Sequence, residues 1–99
     1  MRLSQQQQQT IRDEARAIFG PCVQVRVFGS RLDNEVRGGD IDIHIETRGN
    51  AAERLAGELQ LYAHLQRRLG ERSIDIIVHD RDQPRRDIDR HAIETGVPL

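Results

Sequence analysis

Residues 40–46 read Asp-Ile-Asp-Ile-His-Ile-Glu, an alternation of polar and apolar side chains without a break. Successive side chains of a strand point to opposite faces. The segment is therefore a half-buried strand with Ile41, Ile43 and Ile45 on one side and Asp40, Asp42, His44 and Glu46 on the other. A chain built on such a strand buries one face of a sheet and keeps a second face that carries acid. The rest of the pattern fits around it. Residues 22–28 and 73–78 are β-branched runs that predict two more strands. Helical spacing predicts a helix over 5–19, capped by Ser4 and stopped at Gly20-Pro21, with Ile11, Ala15, Ile18 and Phe19 on one face. A second helix is expected over 51–69, with Ala52, Leu55, Ala56, Leu59, Tyr62, Ala63 and Leu69 as its core stripe, and a short third one over 85–94. The five glutamines at 5–9 fit solvated first turns of the first helix.

The expected order is αβ(loop)βαβα, an α/β (α+β) domain with a small mixed three-stranded sheet backed by helices. The link at 29–39 is short for a parallel crossover, which makes the first two strands antiparallel; the helix at 51–69 can carry a crossover to the third. Ninety-nine residues suit one domain spanning 1–99.

Composition removes several function classes. The chain has no lysine, since every one of its 15 Lys+Arg positions is arginine. A Walker A phosphate loop, Schiff-base chemistry and carboxylate–lysine nuclease sites all need that residue. Arginine can still clamp phosphate bidentately. The formal charge of −1 and the scarcity of aromatics (Phe19, Phe28, Tyr62) leave no basic field or stacking platform, so direct nucleic-acid binding is not expected. The single cysteine, Cys22, allows no internal disulfide, and neither a secretory signal nor a membrane span is evident. A cytoplasmic protein with no membrane contact is the expectation.

Three features carry chemistry. Asp40 and Asp42 lie two apart on a strand, so their carboxylates project side by side, and like charges that close call for compensation by a cation. Mg²⁺ takes such oxygen ligands together with substrate phosphates. Asp75 interrupts the apolar run Ser-Ile-Asp-Ile-Ile-Val and would be costly to bury without a partner. If its strand neighbours the Asp-x-Asp strand, three carboxylates converge into a cradle for two metal ions. Gly29-Ser30 directly follows the first strand, where glycine allows a tight turn and Ser30 offers N–H and hydroxyl to phosphate oxygens.

The stretch Phe-Gly-Ser-Arg-Leu-Asp-Asn-Glu-Val-Arg-Gly-Gly-Asp-Ile-Asp-Ile, with Ile-Asp-Ile-Ile-Val downstream, resembles the signature of the DNA polymerase β-type nucleotidyltransferase superfamily. With its small size, the whole chain is most similar to the minimal nucleotidyltransferase (MNT) antitoxins paired with HEPN toxins. The resemblance implies that Gly29 and Ser30 hold the triphosphate of ATP and that Arg31 can reach a phosphate. It also implies that Asp40 and Asp42 bind two Mg²⁺ ions, and that Asp75 completes the site and helps deprotonate the acceptor hydroxyl. The implied reaction is transfer of AMP from ATP to a hydroxyl, a tyrosine's, on a partner HEPN-type RNase toxin. Two alternatives keep the same residues: an antitoxin that masks its toxin by contact alone, and a nucleotidyltransferase subunit acting on a small molecule. The sequence departs from the family pattern in a spacer of nine residues between Ser30 and Asp40, at the short end, and in Gly39 where a serine often precedes the first aspartate.

The remaining polar residues read as surface. His44 is expected as a solvated sheet histidine, His64, His79 and His91 as surface residues without metal-ligand spacing, and the charged stretch 79–91 as a solvated loop and helix. Tyr62 is expected in the core.

Overall fold

The computed structural model describes residues 3–29, 41–70 and 73–99. The elements run α1 (Gln5–Phe19), β1 (Gln24–Phe28), β2 (Ile41–Thr47), α2 (Ala51–Leu69), β3 (Ile74–Asp80), α3 (Asp87–Thr95) and β4 (Val97–Pro98). The fold is a mixed α/β domain on a four-stranded sheet of order β3-β2-β1-β4. As the short 29–39 link implies, β1 and β2 are antiparallel, and α2 carries the crossover that sets β3 parallel to β2. The expected three strands gain a fourth because Val97 and Pro98 pair antiparallel with Val27 and Arg26. A two-residue strand is too short to show a periodicity, and its proline is tolerated because it sits at the sheet's edge. Among the described residues no helix is long and apolar enough to cross a membrane.

Both long helices start on reciprocal caps. The Ser4 Oγ accepts from the Gln7 N–H at 3.0 Å while the Gln7 side chain accepts from the Ser4 N–H, and the Gln8 side chain donates to the Leu3 carbonyl at 3.0 Å, so two of the five glutamines have a defined structural part. Asn50 and Glu53 repeat the arrangement at α2.

One face of the sheet carries the core. Val25, Val27, Ile41, Ile43 and Ile45 are fully or almost fully buried there against Ile11 and Ala15 of α1 and Leu61 and Leu65 of α2. The isoleucine alternation of β2 thus points inward as its period requires.

The inward face of α2 differs from the expected stripe. Gly57, Leu61 and Leu65 face the core, whereas Leu55, Leu59 and Tyr62 are 57%, 61% and 45% exposed. The helix has two apolar stripes, and the one with the glycine lies inside because α1 passes close to it. A side-chain carbon at Gly57 would run into the ring of Phe19. The larger apolar residues are left facing water.

Candidate active site

The second face of the sheet is built from the polar positions of the same strands. β1 ends at Phe28, which pairs with Asp42 across the antiparallel ladder. Gly29 follows with φ +80°. At that φ a side chain is strained, and a Cβ there would strike Oδ2 of Asp42 and sit 3.2 Å from its carboxyl carbon. The absence of a side chain at Gly29 is therefore what lets the Asp42 carboxylate lie against the turn leaving β1. On the other side of β2, the parallel register pairs Asp42 with Asp75. Paired residues of adjacent strands share a face, so Gly29, Asp42 and Asp75 meet at one end of the sheet.

Asp75 is exposed: among the described residues β3 is an outer strand of the sheet, so water reaches the carboxylate and the cost of burying it without a partner does not arise. Ser30, Arg31 and Asp40 lie outside the described residues. Among the described residues no group of three or more histidine, cysteine or acidic side chains is gathered as a metal cage; Asp42 and Asp75 are the two described carboxylates of the expected triad. Their chemistry, oxygen donors only and close to a glycine turn, fits a hard divalent cation shared with phosphate oxygens.

Further along the same face runs a polar network that overturns the surface reading of its members. His44 and Asp89 are fully buried, and Glu46 and His79 are 2% and 4% exposed. His44 Nε2 lies 2.8 Å from Asp89 Oδ1, while its Nδ1 lies 3.3 Å from Arg26 Nη1. A guanidinium can only donate. His44 Nδ1 must therefore accept, and the ring is the neutral tautomer whose Nε2–H donates to Asp89. Burial, the largest influence on His44, agrees by lowering its pKa below the ordinary histidine value. Burial pushes Asp89 up, but hydrogen bonds from Arg86 and His44 overcome it and hold its carboxyl far below the usual carboxylate range. Burial likewise works against Glu46, and donors from Arg85, Arg26 and His79 at 3.1 to 3.3 Å outweigh it and keep its carboxyl low. Both ring nitrogens of His79 face acceptors, Glu46 Oε2 at 3.1 Å and the Pro84 carbonyl at 3.2 Å.

This network fastens α3 and the 81–86 connection to the sheet next to Asp42. Phe28 seals its flank, standing edge-on to His44 and to His91 with ring centroids 6.4 and 6.3 Å apart. Sequence reading missed it because the partners are distant in the chain: His44 and Asp89 are 45 residues apart. The available signal was the polar face of β2 itself, where Glu46 and His44 continue the row begun by Asp42 and need either water or buried partners. His64, by contrast, is partly exposed and bonds Glu14 at 2.7 Å, tying α2 to α1.

No protein-family model matches this chain, and no curated protein matches it.

Proposed function

We propose that the protein is a Mg²⁺-dependent nucleotidyltransferase that moves AMP from ATP to a hydroxyl of a partner protein, a HEPN-type RNase toxin, and so acts as its antitoxin. What supports this most is the meeting of Gly29, Asp42 and Asp75: a side-chain-free turn packed on a carboxylate, with a second carboxylate in register beside it. Glycine turns of this kind let a phosphate approach the backbone, and paired carboxylates hold the cations that accompany phosphate. The lack of lysine fits a site that uses metal and arginine for phosphate charge.

In this reading Asp40 and Asp42 hold the cations, Gly29, Ser30 and Arg31 take the triphosphate, and Asp75 takes the acceptor side. When bound, two divalent ions supply charge neutralisation for the phosphates and for the oxygens that develop charge. The acceptor hydroxyl oxygen forms a bond to the α-phosphorus as the bond to the bridging oxygen breaks. Pyrophosphate leaves, and the hydroxyl proton passes to the Asp75 carboxylate, which water reaches and can relieve of it. The chain's contribution is positioning and electrostatics, which suffice for phosphoryl chemistry of this class.

The test is label transfer from α-labelled ATP in MgCl₂ to the chain encoded beside this one. Transfer that vanishes in Asp42→Asn, with the complex retained, is the expected result. A tight complex and full neutralisation by Asp42→Asn, with no label on the partner, would establish masking by contact. The outward apolar stripe of α2 suits either reading, since both need a protein partner.

A further inference from the structure

A groove of about 350 Å³ runs between α2 and the edge of the sheet, lined by Glu58, Leu59, Tyr62, Ile74, Asp75 and Ile76. Three observations meet there. Leu59 and Tyr62 of α2 and Ile74 and Ile76 of β3 make most of the described lining apolar, and the α2 side continues into the outward stripe of Leu55, Leu59 and Tyr62, flanked by exposed Ala51, Ala52, Ala56 and Ala63. Large side chains held in water along a helix face mark a contact surface for another macromolecule. The second wall is β3, the outermost strand on that side, whose outward backbone groups have no strand beside them among the described residues. The charge is of one sign: the described lining holds two carboxylates, Glu58 and Asp75, and no cation. Neither carboxylate has an ion pair or side-chain hydrogen bond among the described residues.

We propose that this groove docks the acceptor protein, taking from it an apolar segment flanked by basic side chains and bringing that segment to Asp75. The inference rests on the nucleotidyl-transfer reading for the word acceptor, whereas the binding chemistry stands on the groove. Charge chooses among the occupants. A nucleic acid would bring phosphates against Glu58 and Asp75. A second copy docked isologously would set Glu58 and Asp75 of one chain against the same pair on the other. A protein segment with arginine or lysine beside its apolar anchor meets both the stripe and the acids.

Tyr62 is the chain's single tyrosine and there is no tryptophan, so intrinsic tyrosine fluorescence reports this groove alone. The experiment titrates the full chain with two capped, tyrosine-free peptides, one with leucines and a central phenylalanine flanked by arginines, the other with glutamates in place of the arginines. The expected result is a saturable change in Tyr62 emission with the arginine peptide and binding at least about tenfold weaker with the glutamate peptide. Glu58→Arg should abolish that preference, and Leu59→Ser should weaken the arginine peptide about tenfold while leaving the far-UV circular dichroism unchanged. Equal binding of both peptides, no saturable binding of either, or undiminished binding by Leu59→Ser would overturn the proposal. So would a dimer in sedimentation that Leu59→Ser dissolves, or a single-stranded oligonucleotide that quenches Tyr62 saturably. Peptide binding by a chain that transfers no label from ATP supports the groove and sinks the transfer reading, which keeps the two failures apart.

Discussion

Gly29 joins a backbone requirement to a chemical one in a single residue. Its φ of +80° lies in the left-handed region, where a Cβ costs about 1–2 kcal/mol. The position that Cβ would take is already filled by the Asp42 carboxylate. Gly29→Ala should therefore lower the stability measured by urea unfolding by at least about 1–2 kcal/mol, and Asp42 must also shift. A ligand that binds only the folded state stabilises it, more so the tighter it binds. A cation held at this corner as proposed therefore predicts that MnCl₂ raises the melting temperature of the parent chain and leaves that of the variant unchanged. A variant as stable as the parent, with that rise intact, would mean that the turn and the carboxylate are not coupled. The residues of this corner were legible in the sequence because the information is local: a glycine after a strand, an aspartate at every second position, an acid inside an apolar run. The partners of His44 were not legible, since a contact between positions 44 and 89 is decided by how α3 folds back over the sheet.

At the scale of the element, α2 is where sequence pattern and structure part. Periodicity finds apolar stripes, but a helix that carries two of them does not say which is buried. Leu55, Leu59 and Tyr62 form the bulkier stripe and Gly57, Leu61 and Leu65 the smaller one; close approach of α1 selects the stripe that holds the glycine. A paired substitution checks the orientation by equilibrium unfolding. Leu61, with no exposed surface, should cost about 2–5 kcal/mol when changed to alanine. Leu59, 61% exposed, should change stability by no more than about 0.5 kcal/mol when changed to serine. A reversed order of the two effects would turn the helix over and return Tyr62 to the core. The strands were easier to read than α2, because a period of two leaves only one face for three isoleucines. The pairing of Asp42 with Asp75 was conditional in the sequence, since a crossover by α2 makes β3 parallel without fixing that it lies next to β2 or in which register.

Across the whole molecule, the sheet has one dry apolar face and one face closed by charge, and the second makes the fold sensitive to acid. The sign follows from which state binds protons more readily. Asp89 and Glu46 both have folded pKa values below their ordinary ones, held there by arginine and histidine donors. The unfolded chain therefore takes up protons first as pH drops through about 4, and stability present above that range is lost below it. His44, lowered chiefly by burial, acts in the same direction over an earlier range: the unfolded ring gains a proton near pH 6.5 while the folded ring stays neutral, so stability begins to fall as pH drops below about 6.5. The urea midpoint should accordingly be level above about pH 7, slope gently below it and then drop steeply under about pH 4. Asp89→Asn removes the most depressed carboxylate and leaves Arg86 and His44 facing an amide. At neutral pH it should cost about 3 kcal/mol, the low end for a broken buried pair because the Arg86 side chain is half exposed to water. The variant should also flatten the steep limb, since the group that titrates there is gone. If its midpoint runs parallel to the parent's from pH 7 down to pH 3, the acid sensitivity belongs to other carboxylates, and the contact between the sheet and α3 does not depend on the Asp89 charge.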